Sequence, residues 1–308
     1  MQSSSEQRSR GRDVRGLVLL DKPLGLTSNQ ALQRVKRLFQ ARKAGHTGSL
    51  DPLATGMLPI CFGAATKLCG YLLVARKTYS VVAHLGVATQ TGDAEGQVVE
   101  EDTGPAPTEA RVAAALGALR GDLEQIPPMY SALKRDGVPL YRLARRGIEV
   151  PRAPRRITVY SIQCGPYRWP KLQFTVSCSK GTYVRTLVTD LAAALGTVGH
   201  VSELRRLSVE PFAEQQLRTL NELEQCLRDG GIEALDRELF PVDSALAGWA
   251  RVVPDDEAVQ RLLHGRKVLA DPSWPRGPVT VYAEPAKFLA IGDVTDEGYL
   301  EPRRVFLP

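Results

Sequence analysis

Residues 17–20, LVLL, are a short apolar run followed by the breaker-rich DKPLGLTS, which predicts a buried strand and then a turn. A helix is expected next. Ala31, Val35, Leu38 and Phe39 recur at helical spacing, Arg34, Lys36 and Arg37 fall mostly on other faces, and Ser28 or Asn29 can cap its start. From Thr78 the period changes to two. Tyr79, Val81, Ala83 and Leu85 alternate with Ser80, Val82 and His84, as a strand with one buried face requires. TQTGDAEG then supplies turn residues. Pro107 and Thr108 open a helix in which Val112, Ala115, Leu116 and Leu119 share a face, and Gly121 is placed to end it.

Two further strands are expected around ITVYSIQC and KLQFTVSC. In the second, Leu172, Phe174, Val176 and Cys178 alternate with Lys171, Gln173, Thr175 and Ser177. GTYVRTLVTDLAAALG carries Val184, Leu187, Val188, Leu191 and Leu195 at helical spacing and stops at Gly196, so Tyr183 and Arg185 fall at a helix start. Strands and helices interleave without a regular βαβ period. The pattern predicts an α+β fold on a mixed, largely antiparallel central sheet flanked by helices. Residues 1–15 read as a flexible basic tail and 16–250 as the main domain. ALAGWARVVPDDE marks a junction, and 251–308, with KVLA, PVTVYA, KFLAIGDV and RRVFL, read as a small all-β domain.

Composition narrows the partners. Lys and Arg exceed Asp and Glu by 40 to 34, and a net charge of +6 favours a polyanion, since each neutralised phosphate releases counterions. Apolar runs fall short of the ~20 residues that span a bilayer, so no membrane association is expected. Cys61, Cys69, Cys164, Cys178 and Cys226 form no CxxC pair, which suggests neither a zinc site nor a disulfide framework and fits a reducing cytoplasm. Without heptads or a long exposed apolar stripe, a monomer is expected. In the segment 125–156, Leu140, Leu143 and Ala144 can face inward while Arg142, Arg145 and Arg146 face out. Tyr130 and Tyr141, interleaved with these cations, favour an RNA-binding surface over a merely solvated charge run.

The stretch GHTGSLDPLATG, residues 45–56, is the densest chemical candidate. It is neither a GxxxxGK[ST] loop nor GxGxxG, so no nucleotide cofactor is implied. His46, Ser49 and Asp51 lie within six residues and no GxSxG elbow exists, which argues against a hydrolase triad. Pro52 biases Asp51 to an extended backbone and removes the next amide donor. Asp51 is then either part of a structural turn or a catalytic carboxylate, and residue types alone leave both open. Tyr79, beside Arg76 and Lys77, is likewise a half-buried strand tyrosine or a base-stacking platform.

LLDKPLGLTSNQAL, AGHTGSLDPLATGMLPICFG, TGDAEGQVVE, IPPMYSALK, CSKGTYVRTL and GHVSELRRLSV, spanning residues 17–209 in this order, together resemble the TruB family of tRNA pseudouridine synthases. The resemblance implies the pseudouridine synthase fold with a C-terminal PUA-like RNA-binding domain. It implies an isomerase that detaches a uracil from its ribose at N1, turns it and rejoins it through C5. The implied substrate is a uridine in the T arm of tRNA, and no cofactor or metal is implied.

By the same resemblance Asp51 is the essential catalytic aspartate, with Arg185 as the partner that keeps it ionised. Tyr79 stacks on the flipped uracil, Tyr183 and Leu204 line the pocket, and His46 contacts RNA near the vacated position. Lys22 and Asp93 fill supporting positions among the substrate-binding residues. An RNA-binding protein without chemistry is the rival reading, and a need for an ionised Asp51 separates the two.

Overall fold

The computed structural model describes residues 11–213, 217–284 and 287–306. The first half of the chain runs β1 (Gly16–Lys22), α1 (Ser28–Leu38), β2 (Ala44–His46), β3 (Thr55–Phe62), α2 (Cys69–Val74), β4 (Lys77–Leu85), β5 (Val87–Thr89), β6 (Val98–Glu101), α3 (Glu109–Ala118) and β7 (Gly121–Gln125). A small hairpin, β8 (Lys134–Arg135) and β9 (Val138–Pro139), leads into α4 (Leu140–Ala144). Then come β10 (Arg155–Arg168), β11 (Lys171–Cys178), α5 (Val184–Ala194), β12 (Gly199–Val209), β13 (Arg218–Thr219) and α6 (Leu220–Asp236). The carboxy-terminal part holds β14 (Ala250–Val252), α7 (Asp256–Leu263), β15 (Val268–Leu269), β16 (Gly277–Glu284), β17 (Lys287–Val294) and β18 (Tyr299–Val305).

Among the described residues the large sheet has nine strands in the order β13-β1-β3-β12-β4-β11-β10-β7, with β2 paired to β3. Only β1 with β13 and β3 with β12 run parallel, so the sheet is mixed and largely antiparallel. Burial explains the two hydrophobic patterns. In β1, Val18 and Leu20 pack toward α1 and α6 while Leu17 and Leu19 pack on the other face, so both faces are covered and the run does not alternate. In β4, Tyr79, Val81, Ala83 and Leu85 join a core with α3 and α5, whereas Thr78, Ser80 and His84 lie on the wetter face.

A second sheet, β14-β16-β17-β18-β15, holds the short strands expected near the carboxy terminus. Helix α7, capped by Asp255, packs on it through Val259 and Leu262. Ile291 and Phe306 of this part share a core with Leu17, Leu19, Met57 and Leu68. The described helices include none long and apolar enough to cross a membrane.

Several local expectations change. The cap of α1 is Thr27, not Ser28 or Asn29: its hydroxyl accepts the Gln30 amide and the Gln30 side chain returns the bond, which leaves Ser28 free for another contact. Helix α3 ends at Leu119, and Gly121, at φ +106°, turns the chain into β7. Residues 11–15, expected in the flexible tail, are anchored. Val14 is buried against the α1 core and Arg12 pairs with Asp236 of α6, so apolar and ionic contacts with distant parts of the chain override the polar composition. The rest of that tail, 1–10, lies outside the described residues.

Candidate active site

The loop between β2 and β3 is gripped on both sides of Asp51. Ser28, the first residue of α1, accepts the Leu50 amide at 2.7 Å and donates to the Leu50 carbonyl at 3.1 Å. On the other side the Pro52 carbonyl accepts from the Gly25 amide at 2.9 Å and from Lys22 Nζ at 3.4 Å. Lys22 is fully buried and also bonds the carbonyls of Pro23 and Leu26. Burial of that ammonium pushes its pKa down to about 8. The Asp51 carbonyl accepts from Ala54, closing a turn through Pro52 while the carboxylate faces away from it.

Asp51 Oδ2 meets Arg185 Nε at 2.9 Å. Arg185, in the first turn of α5, is almost wholly buried and gives its other two nitrogens to the carbonyls of Thr91 and Tyr130, each at 2.7 Å. Asp93 Oδ2 lies 3.8 Å from the same Nε, and Thr91 and the Glu95 amide hold the other Asp93 oxygen. One guanidinium thus faces two carboxylates. Asp51 sits at the floor of a concave pocket, surrounded by protein yet with 43% of its side chain open toward the mouth. Desolvation raises its pKa above the ordinary carboxylate value, Arg185 opposes that rise, and Asp93 adds to it.

The pocket encloses about 260 Å³, and Asp51, Tyr79, Tyr183, Arg185, Leu204 and Arg206 are among its walls. Tyr79 comes from β4 and Leu204 from β12; Leu204 lies opposite Val81, two residues along β4 from Tyr79, so both side chains leave the same face. Tyr183 precedes α5, and the Gln125 side chain fixes its backbone by accepting from its amide at 2.7 Å and donating to its carbonyl at 3.1 Å. Burial raises the phenol pKa of both tyrosines. The five groups expected at one site, Asp51, Tyr79, Arg185, Tyr183 and Leu204, are brought together from separate stretches of chain.

His46 lies on β2 opposite Ile60, half-buried beside the pocket and outside its lining; burial and the charge of Arg206 lower its pKa. Lys22 and Asp93 sit beneath the pocket, where they support the loop and Arg185. The cations next to Tyr79 in sequence do not reach its ring. Arg76 stacks over Tyr160, 4.1 Å from the ring centre, and buried Lys77 bonds the carbonyls of Leu72, Leu73 and Ala75. The cation at Tyr79 is Arg206, which the sequence reading did not single out. Its period-two spacing from Leu204 on a strand was the available signal.

Beyond Arg185 a second cavity of about 410 Å³ opens between the 89–92 turn and the 128–152 segment, with Tyr130, Ile148, Arg152 and Thr189 in its walls. Among the described residues no cluster of His, Cys, Asp or Glu could hold a metal ion.

Three family models cover most of the chain: "TruB family pseudouridylate synthase (N terminal domain)" over residues 36–184, "tRNA pseudouridylate synthase B C-terminal domain" over 185–247, and "Pseudouridine synthase II TruB, C-terminal" over 250–306. The tRNA pseudouridine synthase B of Stutzerimonas stutzeri strain A1501 is 50% identical over 294 residues, 96% of each chain. That of Pseudomonas aeruginosa strain UCBPP-PA14 is 48% identical over the same shares. Among solved structures, a chain of a Cbf5-Nop10-Gar1 complex superposes with a TM-score of 0.74 at 28% identity, covering 95% of this chain and 85% of that one. A chain of an H/ACA RNP bound to a substrate RNA containing 2'-deoxyuridine gives 0.72 at 25% identity, with 98% and 93% covered. With near full-length identity of this order, the chain belongs to the TruB family of pseudouridylate synthases.

Proposed function

We propose that this protein isomerises a uridine in the T arm of tRNA to pseudouridine, with Asp51 as the catalytic carboxylate. The observation that carries the reading is the 2.9 Å pairing of Asp51 with Arg185 on the floor of a pocket walled by two tyrosines and a leucine. A partly apolar pocket with two tyrosines in its walls suits a uracil ring. Extruding the base costs a few kcal/mol of unstacking, and an aromatic platform such as Tyr79 returns about 1–3 kcal/mol. Tyr183 and Leu204 close the pocket, and His46 beside it meets the RNA where the base has left.

Residues 16–250 carry the chemistry in this reading, and 251–308 act as a PUA-like domain that adds RNA contact. The second cavity, with Tyr130 and Arg152, extends the RNA surface from the pocket. The protein acts as a cytoplasmic monomer without cofactor. The test is Asp51→Asn, assayed for tritium release from C5-labelled uridine in tRNA. Release should vanish while tRNA binding persists; continued turnover would remove Asp51 from the chemistry. Ser49→Ala, run alongside, should remain active.

A further inference from the structure

Arg206 is the largest fully buried side chain among the described residues, only 1% exposed, and it lines the Asp51 pocket. Its Nε donates to the Met57 carbonyl at 2.6 Å and its Nη2 to the Gly48 carbonyl at 3.2 Å. Arg206 lies directly opposite Tyr79 in the β12–β4 register, so guanidinium and phenol leave the same face of the sheet and line one pocket. Its neighbour Arg205 is held by Asp21 and Arg185 by Asp51, yet among the described residues no carboxylate pairs with Arg206. Burying a guanidinium without a counter-charge is costly, and holding two carbonyls does not require a charge.

We infer that Arg206 positions the Tyr79 hydroxyl as the pocket's hydrogen-bond donor to negative charge on the uracil ring. This rests on the proposed uridine isomerisation. A guanidinium has only donors, so where it meets Tyr79 the phenol oxygen accepts. The phenolic hydrogen is thereby directed away from Arg206, toward the pocket that both residues line. The same positive charge opposes the rise that burial imposes on the Tyr79 pKa and adds to the burial that lowers those of His46 and Lys77. The pocket is therefore polarised, with the Asp51 carboxylate at one wall and the Arg206 charge at another.

The isomerisation needs such polarity. When the N1–C1′ bond breaks, its electron pair stays with the base and spreads over the ring and its two oxygens, while C1′ is left electron-poor. Rejoining draws the C5–C1′ bonding pair from the ring, C5 loses its proton to water, and N1 takes one from water, so the product is an isomer. Tyr79 keeps its proton throughout and supplies a hydrogen bond while the ring is anionic. Donors fixed in advance at developing charge are the strongest device a dry site has.

The experiment measures single-turnover rate and tRNA Kd for Arg206→Gln and Arg206→Lys, each in the wild-type and Tyr79→Phe backgrounds. Arg206→Gln should slow turnover by about 10²–10³-fold, and tRNA Kd should move by less than about threefold. Arg206→Lys, which keeps the charge, should recover about tenfold or more of that loss, and with Tyr79→Phe already in place Arg206→Gln should cost less than about threefold. A folded Arg206→Gln protein with wild-type turnover overturns the inference, as does a penalty that multiplies in full with that of Tyr79→Phe. If Arg206→Gln does not fold, the same comparison between Arg206→Lys and its double variant decides. Wild-type protein inactive on tRNA would instead sink the proposed function.

Discussion

Ser28 holds both backbone polar atoms of Leu50, the residue before Asp51, through one hydroxyl. A helix start thus fixes the loop that carries the carboxylate. Ser28→Ala leaves a buried amide and carbonyl without that partner, which should cost about 1–3 kcal/mol of stability. Single-turnover rate should fall while tRNA Kd holds, because Asp51 loses its fixed position in the pocket. Thermal melts and pre-steady-state kinetics on one preparation check both.

The raised pKa of Asp51 links pH to stability. Unfolded, its carboxyl titrates near 3.9. Between that value and the higher folded pKa the native protein binds more protons, so this group's contribution to stability falls as pH rises through the window. Asp51→Asn is therefore expected to melt above the wild type at pH 7, with the advantage fading as pH drops through the same window. Turnover by the wild type should fall across that window as well. Paired melts and rates from acid to neutral pH give the answer.

Arg185 serves two carboxylates and two carbonyls at once. Arg185→Met would leave buried Asp93 facing Asp51 without a cation, at an expected loss of about 3 kcal/mol. Arg185→Lys keeps the charge but cannot reach all four partners, so it should fold better than Arg185→Met and still turn over poorly. Denaturant melts of the two variants, beside their tritium-release rates, separate folding from chemistry.

Tyr79 contributes a ring and a hydroxyl, and the two are separable. Tyr79→Phe should bind tRNA like the wild type and turn over slowly, whereas Tyr79→Ala should also lose about 1–3 kcal/mol of binding. Equal turnover by Tyr79→Phe and wild type would deny the hydroxyl a role.

What the sequence disclosed depended on how far each signal reached along the chain. One-sided elements such as β4, β11 and α5 announce themselves, because burial of a single face imposes a period that local residues carry. Asp51, Tyr79, Tyr183, Arg185 and Leu204 were found through motif resemblance. Their meeting depends on β12 returning between β3 and β4, which no local pattern encodes. Arg206 stayed hidden because a basic residue on a strand reads as solvent-facing until its burial is seen. The anchoring of residues 11–15 is non-local in the same way, since Arg12 meets a partner on α6.

The placement of β12 also sets an order of events during synthesis. It supplies Leu204 and Arg206 and pairs with both β3 and β4, although these strands leave the ribosome more than a hundred residues earlier. Until residue 209 emerges, β3 and β4 each wait with an unpaired edge, and the pocket lacks a wall. Such long-range pairing is slow and exposes the unfinished chain to misassociation. A nascent protein therefore has Asp51 in hand long before it has a site, and its competence to hold a uridine arrives in one step, with a strand encoded two-thirds of the way along.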